Sequence, residues 1–345
     1  MQPGLFRLLL ASAVLVSHFT PLKYGTPAVA LFFVLSGYWI SMMWRQKYRR
    51  TRLPYLTFVV SRFWRLLPVF ILASLFAAFT TDCPAPTGLE WIPTTTLLGY
   101  SWLTCKPLGP AWSLDLEIQF YLIAPAILLL LAQGRLARLS AFALGVGCLF
   151  AVRFNLAEGG FLAEGIFYFL IGALAAEVSW RPTRLAALAS VTLFFLYTTA
   201  LLAHPLWRSA IWLGAQPGPM SAWQSYALTV AALLLVPFAL NTVGQRSGAF
   251  DIMFGDLSYI VYMIHWPFVV FARTNLYRDI HASDGITSRL ALIAILCIII
   301  YTISVVIWYC FDQPINHLRA RFVRGRLESF AHSSEAVASP HRLTS

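Results

Sequence analysis

The sequence predicts an all-α protein, a polytopic helical membrane bundle of about ten transmembrane helices with no separate soluble domain. Three observations predict it. Hydrophobic residues fill 59% of the 345 positions and charged residues only 11%, more apolar side chain than a soluble domain of this size needs. Apolar runs recur along the chain and approach the roughly 20 residues that span a bilayer core. The net charge of +11 sits in short clusters between those runs, the pattern of cytoplasmic loops under the positive-inside rule and not of a nucleic-acid surface.

The runs in order are residues 4–20, 27–44, 62–80, 113–132, 137–153, 161–178, 183–203, 222–241, 254–273 and 287–311. The first resembles a signal peptide only in length. Arg7 lies inside its apolar stretch and no basic leader or cleavage site accompanies it, so a retained helix is expected. The connection 81–112 is the longest, rich in Pro and Gly, and loops of that length tend to be functional or disordered. Residues 331–345 are polar without periodicity and are expected to be disordered. The chain thus divides into a membrane domain, 1–315, and a C-terminal part, 316–345, made of a basic amphipathic helix and a cytoplasmic tail. No internal repeat is visible.

Arginine asymmetry sets the expected orientation. With the N-terminus inside, the inner connections hold Arg45, Lys47, Arg49, Arg50, Arg52, Arg135, Arg138, Arg181, Arg184 and Arg246, and the last helix adds Arg319, Arg321, Arg324 and Arg326. The outer side holds Lys23, Lys106, Arg153, Arg208, Arg273, Arg278 and Arg289. Both termini are therefore expected in the cytoplasm.

Against that frame the polar residues within spans carry the functional information, because a carboxylate in a bilayer segment costs several kcal/mol unless paired or wetted. In PAWSLDLEIQFYL, residues 110–122, Asp115 and Glu117 occupy the first turns of the fourth span. His18 ends the first span, so all three are expected near the outer leaflet. Arg62 and Arg65, spaced i, i+3 on the third span, share a helix face at its inner end. One side thus offers guanidinium groups suited to phosphates, and the other an imidazole with carboxylates suited to general base catalysis.

These residues fall in segments that resemble the acyltransferase 3 family of integral membrane enzymes. FRLLLASAVLVSHF is similar to the family's first-helix Arg and His, here Arg7 and His18. VALFFVLSGYWI resembles its LFFVLSGF signature, SRFWRLLP its R-x-x-R-x-x-P element, and WSLDLEIQFYL its WSLxxExQFYL element. FGDLSYIVYMIHWPFV resembles its SYxxYLxHxP element and FDQPI its closing acidic-x-Pro motif. The likeness runs from Arg7 to Pro314. Ala28 and Ala30 depart from the Gly and Asp common there, and Ile118 replaces a second Glu, leaving Glu117 with Asp115 as a substitute.

The resemblance implies transfer of an acyl group, commonly acetyl, from acyl-CoA to a carbohydrate or other hydroxyl-bearing acceptor. His18 and Glu117 are the expected catalytic residues. Arg7, Arg62 and Arg65 are expected to bind the acyl-CoA donor, and Trp112, Asp115, His265 and Ser36 to line the substrate path. No metal is expected, since no Cys or His pair has zinc-type spacing, and no nucleic-acid partner. Location in the cell inner membrane, multi-pass, is expected.

Each residue also has a plainer reading. His18 reads as an interfacial anchor, Arg62 and Arg65 as snorkelling cations, Glu117 as a partner of another buried polar group, and His265 as packing. Ser36 and Gly37 read as small residues for close helix approach. Cys83 and Cys105, in the outer connection, read either as a bridge or as two free thiols. The rival from another class is a secondary transporter or glycan flippase, against which stands the lack of paired halves with matching broken helices.

Overall fold

Every one of the ten apolar runs forms a helix in the computed structural model, which describes residues 1–154, 156, 162–205, 207–212, 222–276 and 286–338. The helices are α1 (Pro3–Phe19), α2 (Gly25–Gln46), α3 (Pro54–Ala77), α4 (Trp91–Thr96), α5 (Trp112–Leu131) and α6 (Arg135–Arg153). They continue with α7 (Ile166–Glu177), α8 (Arg184–Ala203), α9 (Ala222–Val243), α10 (Ala249–Phe271), α11 (Ile286–Ile307) and α12 (Gln313–Ala338). Among the described residues, eight helical stretches are long and apolar enough to cross a bilayer, and α1 and α7 are shorter apolar helices. Backbone hydrogen bonds internal to each helix are what hydrocarbon demands.

Three boundaries differ from expectation. Helix α3 starts at Pro54, a residue favoured in a first helical turn because its missing N–H would have no partner there. Arg62 and Arg65 therefore lie in its third and fourth turns, inside the bundle and not at its edge. A π-helical turn, Trp308–Asp312, joins α11 to α12, so the last span runs on into the basic helix. Helix α12 itself continues to Ala338, where a disordered tail was expected from 331; residues 339–345 of that tail lie outside the described residues.

Helix α1 packs against α10 and α2, and α2 in turn against α7. The α2–α7 contact is backbone to backbone: a Cβ on Gly37 would fall 2.0 Å from the Phe169 carbonyl oxygen, and one on Gly172 1.8 Å from that of Val34. Gly37 thus serves the close approach its size suggested. Polar side chains stitch other pairs, with the Tyr259 hydroxyl donating to the Leu66 carbonyl (2.6 Å) and the Tyr168 hydroxyl meeting that of Thr229 (3.0 Å).

The long connection before α5 is ordered by two devices. Cys83 and Cys105 form a disulfide, with Cα atoms 5.6 Å apart. Asp115, fully buried, accepts hydrogen bonds from the backbone N–H of Gly99 (2.9 Å) and Ser101 (2.8 Å) and from the Gln119 amide (3.0 Å). Tyr100 between them is buried, takes a bond from the Leu108 N–H, and has its phenol pushed up to about 12 by that burial. Asp115, expected on the substrate path, instead anchors this connection: its oxygens accept from backbone and Gln119, and it lines neither of the two cavities along α1. Asp115→Ala should orphan buried donors at a cost of about 1–3 kcal/mol each. Hydrogen exchange at Gly99 and Ser101 is the check: faster exchange is expected, and unchanged protection would remove the anchoring role.

Candidate active site

Two adjoining cavities lie along α1, one toward each end. The first, about 290 Å³, is lined at its cationic end by Arg7, Arg62, Arg65 and Arg319, and also by Ser36 and Glu117. The second, about 250 Å³, holds His18 and Trp112 together with Lys23 and Arg273. Val29 of α2 and Tyr262 of α10 line both, and so form the wall between them. Arg7 and His18 are eleven residues apart on one helix, about 16 Å at 1.5 Å per residue.

The arginines differ in what they already hold. Arg65 is spent: its guanidinium pairs with both oxygens of Asp312 (3.1 and 3.2 Å) and with Asp256 (2.7 Å). This joins α3 to α10 and to the π-helical turn. Arg62 is buried, donates to the Tyr48 hydroxyl (2.8 Å), stacks over the Tyr48 ring, and has an Nε with no partner among the described residues. Arg7 makes no hydrogen bond or ion pair to any described residue and faces the cavity shared with Glu117. Arg7, Arg62 and Arg319 thus make no ion pair with a carboxylate among the described residues, while Arg65 is directly paired. Glu117 and Asp256 attract Arg7, and Asp256 attracts Arg319, from farther off.

Glu117 and His18, expected as a pair, are not in contact. Glu117 Oε1 accepts hydrogen bonds from Ser36 (2.7 Å) and Tyr121 (2.5 Å), on the inner side of the wall. The reason is helical rise: Trp112 lines the outer cavity, and Glu117, five residues on, lies about 7.5 Å deeper. Ser36, read mainly as a small packing residue, is therefore a cavity residue. Ile118, in the place of a second Glu, is fully buried among apolar side chains.

His18 has aromatic neighbours instead. Its ring stacks on that of His265 (centroids 5.3 Å, 26° between planes) and meets Trp266 edge-on at 5.1 Å. His265 is fully buried and lines neither cavity, contrary to its expected place on the substrate path. Its Nδ1 lies 3.1 Å from the Val261 carbonyl, which makes Nδ1 the protonated nitrogen and leaves Nε2 without a partner among the described residues. His265 thus backs His18. The Arg273 guanidinium caps the same region by donating to the His18 carbonyl oxygen (2.9 Å).

Sequence reasoning did not single out Asp256, Tyr262, Arg273 or Arg319. The two α10 residues stood inside the quoted FGDLSYIVYMIHWPFV segment, whereas Arg273 and Arg319 had been read only as loop and tail cations.

Comparison with known proteins bears on the family of the chain. Acyltransferase MdmB of Streptomyces mycarofaciens is 28% identical over 273 residues, covering 72% of this chain and 69% of the relative. A putative membrane-bound transacylase, BcsY, of Komagataeibacter xylinus is 26% identical over 324 residues, covering 87% and 80%. No solved structure matches. The model of the acyltransferase domain that defines the acyltransferase 3 family matches residues 4–309, nearly the whole membrane bundle, and the chain belongs to that family of acyltransferases.

Proposed function

We propose that this membrane acyltransferase is an O-acyltransferase that moves an acyl group, acetyl by family resemblance, from cytoplasmic acyl-CoA to a hydroxyl of a carbohydrate or other extracytoplasmic acceptor. The observation that carries the reading is the pair of cavities: three guanidinium groups with no ion pair among the described residues at the far end of one, an imidazole in the other, and a wall of two side chains between. Arg7, Arg62 and Arg319 would hold the donor's phosphates, while the acyl arm runs past Ser36 and Glu117 toward Tyr262. His18 then takes the acceptor hydroxyl proton, the oxygen attacks the thioester carbonyl, and the C–S bond breaks. The leaving thiolate takes the proton back from the imidazolium, so acyl ester and free CoA are the products.

The orientation belongs to the same proposal: inner membrane, both termini cytoplasmic, His18 facing out. Arginine asymmetry supports it, as does the disulfide in the connection leading to α5, since such bonds persist on the oxidising side of a membrane.

The test is turnover of radiolabelled acetyl-CoA by purified protein in nanodiscs. Arg7→Ala should raise the acyl-CoA KM by about tenfold or more with acceptor KM unchanged, because charge-assisted bonds to phosphate contribute roughly 1.5–3 kcal/mol each. Folded protein that neither hydrolyses nor transfers from any acyl-CoA would sink the donor assignment.

A further inference from the structure

The cavity around His18 has an unusual charge balance for a site that faces a sugar. Lys23 and Arg273 both line it, and none of its lining residues among the described ones is a carboxylate. Both cations have one hydrogen bond to a backbone carbonyl: Lys23 Nζ to Ser209 (3.2 Å) and Arg273 to His18 (2.9 Å). Neither has a carboxylate partner among the described residues, in contrast to Arg65 with two. The sequence makes this more pointed. The predicted outer side of the protein carries only seven basic residues, and two of them converge on this cavity from separate places, Lys23 in the connection after α1 and Arg273 in the π-helical turn Ala272–Leu276 that follows α10.

We infer that the outer cavity takes an acceptor bearing a negative charge, a carboxylate or phosphate positioned by Arg273 and Lys23 so that a neighbouring hydroxyl meets His18. This rests on the acyltransferase reading and narrows its acceptor class. Arg273 orients the anion through the guanidinium nitrogens that its bond to the His18 carbonyl does not use, and Lys23 supplies a second charge in the same cavity. The arrangement also suits the chemistry. An anion held against Arg273 offsets a cation that stands beside the imidazolium formed when His18 takes the proton. A neutral acceptor offers no such offset, so the site selects by charge as well as by shape. Trp112, in the same cavity, supplies an apolar face for a sugar ring.

Two sources share this chemistry: a water-soluble acidic saccharide and a phosphate carried on a lipid. The experiment uses full-length protein in phosphatidylcholine nanodiscs and follows carbethoxylation of His18 by peptide mass spectrometry, with methyl glucuronide, methyl glucoside or inorganic phosphate as protectants. A parallel set uses nanodiscs containing phosphatidylglycerol. Glucuronide or phosphate should slow His18 modification at roughly tenfold lower concentration than glucoside, as expected for one charge-assisted contact, and Arg273→Gln should erase the difference. Protection by phosphatidylglycerol instead, lost in the same variant, assigns the anion to a lipid. Equal protection by glucuronide and glucoside, no protection by any anion, or a preference that survives Arg273→Gln overturns the proposal. Acetyl-CoA hydrolysis by the same preparation is the separate readout for the donor site, so loss of the charge preference leaves the acyltransferase reading standing.

Discussion

Replacing His18 by Ala should lower acyl transfer by about 10²–10⁴-fold, the usual contribution of a general base, while leaving the fold and acyl-CoA binding intact. Arg7, one of the cations proposed for the donor, lies about 16 Å away along α1 and lines the other cavity, across the wall of Val29 and Tyr262, so the two effects are expected to separate. The expected signature is a fall in kcat at constant acyl-CoA KM. Glu117→Gln provides the contrast. A His–carboxylate pair would make it nearly as damaging as His18→Ala, but Glu117 bonds to Ser36 and Tyr121 on the other side of the wall. Its loss should therefore disturb donor KM more than the proton-transfer step. A folded His18→Ala protein that transfers at the parental rate would remove His18 as the base.

The fold was readable because a bilayer leaves a chain few options. Every apolar run had to close its own backbone hydrogen bonds, so run length alone located the helices to within a few residues. The reading slipped in two places: in the tail after residue 330 the residues are polar and hydropathy carries no signal, whereas at the start of α3 the apolar PYLTFVV stretch belongs to the span, although the expected run begins only at residue 62. Leu53 and Pro54 mark the true start of α3, and a rule for proline in first turns would have found it. The continuity of α11 into α12 through a π-helical turn has no signature in periodicity at all.

The candidate site was legible as an inventory and less so as an arrangement. Arg7, His18, Arg62, Glu117 and Trp112 all line one cavity or the other. Which of them touch is decided by helix phase and depth, and two residues close in sequence separate there: Asp115 turns to the connection's backbone, and Glu117 to Ser36. The reverse also holds. Arg65 and Asp312 are 247 positions apart and form one bond, and His18 and His265 stack from opposite ends of the chain. Such long-range pairs leave no trace in a single sequence beyond the presence of both partners.

The Arg65 cluster yields the largest expected effect on stability. Arg65→Ala would leave Asp312, only 4% exposed at its side chain, near Asp256 with no cation in ion-pair contact among the described residues, Arg319 acting on both only from farther off. Breaking a buried ion pair from one side typically costs about 3–5 kcal/mol, since the remaining charge stays desolvated. A marked drop in Tm and in folded yield is expected, ahead of any change in donor KM. Arg65→Lys should recover only part of it, because a single ammonium cannot reproduce the reach of two separate nitrogens, Nη1 to both oxygens of Asp312 and Nη2 to Asp256. The double variant Arg65→Ala/Asp312→Asn should be more stable than Arg65→Ala alone, as removing the orphaned charge relieves the penalty, and this coupling is measurable as a double-mutant cycle. Were Arg65 instead a phosphate anchor, Arg65→Ala would keep the parental Tm and raise the acyl-CoA KM, with no rescue from Asp312→Asn.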